Sequence, residues 1–192
     1  MKLWSVQKKE VVYYVSRDGV FQPDFSKSKY LNGIPNLQPL YYFLLEVFNR
    51  RSRLDVEVPG LIFCFAGIEN QRVYEIQDID GFTQLIQSRR AVVKDLWNYF
   101  KLDNRVILEL DYENLDQTFD PILIDINDFQ FIMPPIDLRV KNYQKSDVNR
   151  ILNNIRSGIV EPAPLPSGII QAHAPYIASE NITNVFPLFD LI

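Results

Sequence analysis

Cysteine occurs once in this 192-residue chain, at Cys64, and histidine once, at His173. One thiol can form no internal disulfide and cannot anchor a Cys-rich zinc site; one imidazole excludes His-Glu-x-x-His and multi-histidine metal centres. Glycine is sparse, at seven residues. No Gly-x-Gly-x-x-Gly, Walker or Gly-x-Ser-x-Gly sequence occurs, which removes the usual phosphate-cradling and nucleophile-elbow loops. No apolar run reaches the roughly 18 residues that span a bilayer, so no membrane partner is expected, and residues 1–10 lack the apolar stretch of a secretory leader. Positive charge is not in excess either: 20 Lys and Arg stand against 24 Asp and Glu, a net charge of −4. That balance argues against coating nucleic acid by bulk charge. Together these absences point to a reducing, cytoplasmic setting.

What is present is core material. At 47% hydrophobic and 13% aromatic residues, the chain can build one domain over 1–192. Leu3, Trp4 and Val6 fit a first strand. Val11, Val12 and Val15 share a helical face that stops at Gly19. Residues 22–39, with Pro23, Pro35 and Pro39, read as an ordered loop. Leu40, Phe43, Leu44, Val47 and Phe48 follow the i, i+3, i+4, i+7, i+8 spacing of an amphipathic helix. The apolar run 61–66 between Gly60 and Gly67 suits a strand buried on both faces. An alternating strand over 72–77 closes at a turn, Asp78-Ile79-Asp80-Gly81. One helical stretch follows over much of 82–101, then strands at 105–111 and 122–126. Ser146 is placed to cap a short helix that ends at Gly158. Pro162, Pro164 and Pro166 force an extended crossing, and two strands close the chain at 169–176 and 182–188. Helices gather in the N-terminal half and strands after it, so the expected class is α+β with a mixed, largely antiparallel sheet.

The late strand carries the clearest chemistry. In extended chain Gln171 and His173 point to one side, two residues apart, with Ile170, Ala172 and Ala174 on the other. An amide that donates and accepts, next to a titratable imidazole, can grip a polar ligand; the plainer reading is a solvated sheet face. Asp120, Asp125 and Asp128 are close in sequence but do not point together, and read as turn and strand-end residues. Glu109 and Asp111 share one strand face. Arg50, Arg51 and Arg53, with Arg89, Arg90 and Lys94, form two basic clusters at helix ends, suited either to a phosphate or to solvent. Cys64 in mid-strand is a poor nucleophile, because burial raises a thiol's pKa. Tyr13, Tyr14, Tyr41, Tyr42 and Phe43 sit at helix spacing and read mostly as core or rim aromatics; the alternative is a stacking platform for a base or a nicotinamide ring.

The opening Met1-Lys2-Leu3-Trp4-Ser5-Val6-Gln7, followed by Asp18-Gly19-Val20-Phe21, resembles an uncharacterised bacterial family that begins Lys-Leu-Trp-x-x-Gln. Residues 42–51, 106–111 and 124–129 look like that family's amphipathic helix and paired strands. The order of strand, helix, Asp-Gly, a late Leu-Glu-Leu-Asp strand and a closing pair of strands is similar to the ADP-ribosyltransferase fold. DNA-modifying toxins of that fold carry a segment similar to Ile170-Gln171-Ala172, then Pro175 and Ile182-Thr183-Asn184-Val185. There the position of Gln171 is a glutamate that positions the NAD ribose, and the first strand carries His or Arg where this chain has Trp4, Ser5, Val6 and Gln7. A neutral amide cannot supply the charge that stabilises a cationic transition state.

The resemblance therefore implies a cleft for NAD, a nucleotide or a nucleic-acid fragment, with little or no transferase activity. Ser5, Gln7 and Tyr13 would bind, and Gln171 and His173 would stand at the catalytic position. Two rivals remain: an enzyme using His173 or Glu180 as base, and a non-enzymatic interaction module of a phage or bacterial defence system that meets a protein partner. The whole reading requires the first strand and the Gln171 strand to floor one pocket.

Overall fold

The computed structural model describes residues 1–102, 104–113, 119–133, 142–161 and 163–192. Its sheet is built from strands β1 (Lys2–Lys8), β3 (Ile62–Glu69), β5 (Arg105–Asp111), β6 (Ile122–Asp125), β7 (Ile169–Ala174) and β9 (Ile182–Pro187), in the order β6-β7-β3-β1-β5-β9, with β4 (Arg72–Tyr74) paired to β3. A separate ribbon joins β2 (Val20–Phe21) to β8 (Ile177–Ala178). Every pairing among the described residues is antiparallel. The fold is α+β with a largely antiparallel sheet.

Both faces of that sheet are covered. On one, Leu3, Cys64, Ala66, Leu108 and Ala172 pack against α1 (Lys9–Asp18), α3 (Gln38–Arg51) and α7 (Lys145–Ser157). On the other, Trp4, Val6, Phe65 and Ile107 meet α4 (Ile79–Ser88) and α5 (Arg90–Lys101) through Phe82, Ile86, Val93, Trp97 and Phe100. Trp4 is fully buried, stacks on Phe82 at 4.9 Å and 7°, and donates Nε1–H to the Ile76 carbonyl at 2.9 Å. An indole needs that partner when buried, so its large apolar area counts without an unsatisfied donor. Trp97 donates to the Phe189 carbonyl at 2.8 Å and so holds the last residues against α5.

Several expectations need correction. The loop over 22–39 contains α2 (Lys29–Gly33) between two 3-10 turns, Phe25–Lys27 and Pro35–Leu37; Asp24 and Ser28 cap the first turn and α2 by accepting from Ser26 N and Leu31 N. β3 runs through Gly67 instead of ending there, since Gly67 pairs with Tyr74 of β4 and Ile169 of β7; a Cβ at that position would meet the Tyr74 ring at 2.1 Å. The stretch 82–101 is two helices broken at Arg89. Asp78 is not simply a turn residue: it caps α4, accepting from Gly81 N at 2.8 Å. Strand β6 stops at Asp125, which caps a helix not expected, α6 (Ile126–Ile132). Ser146 lies inside α7, which Gln144 and Asp147 cap instead. Gly19 and Gly158 do take the left-handed conformation after their helices. Of the three prolines in the crossing, Pro162 lies outside the described residues.

Candidate functional site

Register decides which side chains meet. Trp4 pairs with Phe65, and Phe65 with Gln171, so these three share a face; Phe63 and His173 pair on that same face. Ser5 and Gln7, one residue out of phase with Trp4, point to the opposite side. There Gln7 Nε2 donates to Ser5 Oγ at 2.8 Å, and Ser5 Oγ donates to the Phe63 carbonyl at 2.6 Å. Tyr13 stands on the outer side of α1, 62% exposed, with Arg17 over its ring at 5.7 Å. The structure brings together Gln171 and His173, and separately Ser5 and Gln7. β3 lies between β1 and β7, so the expected pocket floored jointly by those two strands does not form.

The plainer alternative, a solvated sheet face, is overturned: the Gln171 face is buried. Every residue of β7 is buried, with Gln171 at 4% and His173 at 3% exposure. Gln171 Nε2 lies 3.0 Å from His173 Nε2. An amide nitrogen only donates, so the ring accepts there and carries its proton on Nδ1. Nδ1 has no partner in good hydrogen-bond geometry. Burial pushes the imidazole pKa down to about 4, and the nearby Ile122 carbonyl opposes this only in part. His173 is neutral at pH 7.

In front of Gln171 is a cavity of about 560 Å³. Its floor is Phe63 and Gln171; one wall is Val92, Asp95, Leu96 and Tyr99 of α5, another is Ile126, Phe129, Gln130 and Met133 of α6 and its end, and Tyr30, Ile34 and Tyr41 close the third side. Tyr41 and Phe129 meet edge to face at 6.3 Å and 85°, and Tyr30 and Tyr99 tilt together at 5.8 Å. Gln130 Nε2 donates to the Val92 carbonyl at 3.1 Å, tying the two walls. Sequence reasoning missed this wall. Helix α5 carries two stripes: Val93, Trp97 and Phe100 enter the core, while Val92, Asp95, Leu96 and Tyr99 at i, i+3, i+4 and i+7 face the cavity. That second spacing was a readable signal.

The other candidates serve structure. Cys64 is fully buried on the opposite face, and burial pushes its thiol up to about 12 against a smaller effect of the Ser5 hydroxyl. Glu109 pairs with Lys2 at 2.7 Å and accepts from Asn184 at 2.8 Å. Asp125 also accepts from Ser167 N at 3.1 Å. Asp128 accepts from Tyr143 Oη at 2.8 Å and pairs with Arg150 at 3.4 Å; burial raises its pKa more than those partners lower it. Asp120 pairs with Arg51, Arg50 with Glu46, and Arg90 donates to the Ile192 carbonyl. Among the described residues no group of three or more His, Cys, Asp or Glu could hold a metal ion, and no helix is long and apolar enough to cross a membrane. No family model matches the chain, and no curated protein or solved structure matches it.

Proposed function

We propose that the chain is a binding module without transferase chemistry, whose cavity over Gln171 takes a small planar heteroaromatic group of the nucleobase or nicotinamide kind. The observation that carries this reading is the cavity of about 560 Å³ with aromatic walls and one carboxamide on its floor. Small-molecule sites are typically about 300–1,000 Å³, mostly apolar, with a few placed polar groups. The Gln171 carboxamide spends one N–H on His173 and keeps a second N–H and its carbonyl oxygen, the complement of a ring amide. No Lys or Arg lines the cavity among the described residues. A nucleotide or NAD would therefore enter by its ring, with its phosphates outside.

Catalysis has little to work with. Gln171 is neutral, His173 sits behind it, and Cys64 is on the far face. Isothermal titration with nicotinamide, adenine, NAD and inorganic diphosphate tests the reading. Heat with the ring compounds, none with diphosphate, and weakening by Gln171→Ala or the space-filling Ala91→Trp are expected. Silence with every heterocycle, or binding indifferent to Ala91→Trp, would refute it. Labelled NAD should leave no label on DNA, RNA or protein.

A further inference from the structure

We infer that this cavity selects a positively charged ligand, a small organic cation such as a pyridinium or a quaternary ammonium, over neutral and anionic molecules of the same shape. The inference rests on the binding reading above and adds to it the sign of the ligand.

Five aromatic rings line the space: Tyr30, Tyr41, Phe63, Tyr99 and Phe129. An aromatic face is the negative end of a quadrupole, so a cation within about 6 Å of a ring centroid is attracted, most strongly where water is excluded. Tyr41 and Phe129 stand nearly perpendicular and make a corner, which suits a rounded cation or a ring with a charged edge better than a stack of parallel plates would. Among the described residues the only formal charge on the lining is the Asp95 carboxylate, on an exposed position of α5. It forms no ion pair with a described residue, so its field acts on what enters.

Arg105 lies 5.1 Å from the Tyr99 centroid and covers that ring without lining the cavity, which leaves four rings for the ligand. The first-turn amides of α5 at Val92 and Val93 already donate to the Arg89 carbonyl and are not offered to an anion. His173, behind the floor, is neutral.

Nicotinate, nicotinamide and 1-methylnicotinamide share a six-membered aromatic ring with a planar 3-substituent, the last with one added methyl, and carry charges of −1, 0 and +1 at pH 7; tetramethylammonium carries the charge without the ring. Titration of the intact protein should rank 1-methylnicotinamide about five- to tenfold tighter than nicotinamide, with nicotinate weakest and tetramethylammonium detectable. Asp95→Asn, at an exposed helix position, should reduce the ratio of 1-methylnicotinamide to nicotinamide affinity at least twofold. Equal affinities, or a preference for nicotinate, would overturn the charge selectivity while leaving the binding reading in place. An unchanged ratio in Asp95→Asn would remove Asp95 from the assignment. If none of the four binds, the binding reading itself fails.

Discussion

Gln171 and His173 project from the same face of β7 with their side-chain nitrogens 3.0 Å apart, yet only the amide reaches the cavity; the imidazole is sealed behind it between Phe63 and Phe129, whose ring centroids lie 6.4 and 6.0 Å away. The pair divides two tasks. On the binding reading proposed above, Gln171 presents polar atoms to a ligand, and His173 holds the carboxamide in one orientation. A protonated ring could not accept from the amide, so the arrangement depends on a neutral His173.

That dependence gives the protein an acid limit. The folded pKa of His173, about 4, is below the ordinary value of 6.5. Between these values the unfolded chain binds more protons than the folded one, so stability falls as pH drops through this window. The full effect is on the order of 3 kcal/mol by pH 4. Burial raises the Asp125 and Asp128 carboxyls above 3.8, and these act in the opposite sense, favouring the fold as they take up protons. Comparison with His173→Gln separates the two. Urea unfolding at pH 7, 6, 5 and 4.5 should show a steep loss in the parent and a nearly flat profile in the variant. A parent profile as flat as the variant's would mean the ring is not held neutral by burial.

The thiol of Cys64 should report global opening. It is fully buried in β3 with a pKa pushed up to about 12, so both access and the thiolate fraction, roughly 10⁻⁴ at pH 8, oppose reaction. Ellman's reagent should label it at least a thousandfold more slowly in native buffer than in denaturing urea. Rapid native labelling would show that β3, the strand bridging β1 and β7, opens locally.

Much of the frame was legible because it depends on local pattern. Leu40, Leu44, Val47 and Phe48 mark α3 by spacing alone, and Gly19 and Gly158 mark two helix ends by the conformation that they permit. Helix α6 was hidden for a physical reason. Ile126, Asp128, Phe129, Phe131 and Ile132 are all buried, which leaves Asn127 and Gln130 alone as a polar side, too short a stripe to read in seven residues. The break at Arg89 carries neither Gly nor Pro. At the site, period-two spacing joined Gln171 to His173 correctly. Whether Ser5 shared their face depended on two successive registers through β3, and a shift of one residue reverses a side chain. The cavity walls come from positions 30, 41, 63, 99 and 129, which no local pattern links.

Two glycines, Gly60 and Gly33, should respond in opposite ways to alanine. At Gly60 an added Cβ would stand 2.7 Å from the Pro23 carbonyl oxygen and 2.9 Å from its carbon, both backbone atoms, with the Phe25 ring at 3.0 Å. That backbone cannot retreat easily, because Phe25 N donates to the Pro59 carbonyl at 2.9 Å and locks the crossing. Gly60→Ala should therefore cost about 1–3 kcal/mol, the usual range for overpacking. Gly33 ends α2 with nothing within 4 Å of its Cβ position and without a left-handed backbone. Gly33→Ala lowers the entropy of the unfolded chain without strain and should stabilise by about 0.4–1 kcal/mol. Chemical denaturation of both variants beside the parent checks the pair. The same sign for the two would show that the Pro23–Gly60 contact yields at little cost, and that the segment leading into β3 is looser than its close packing implies.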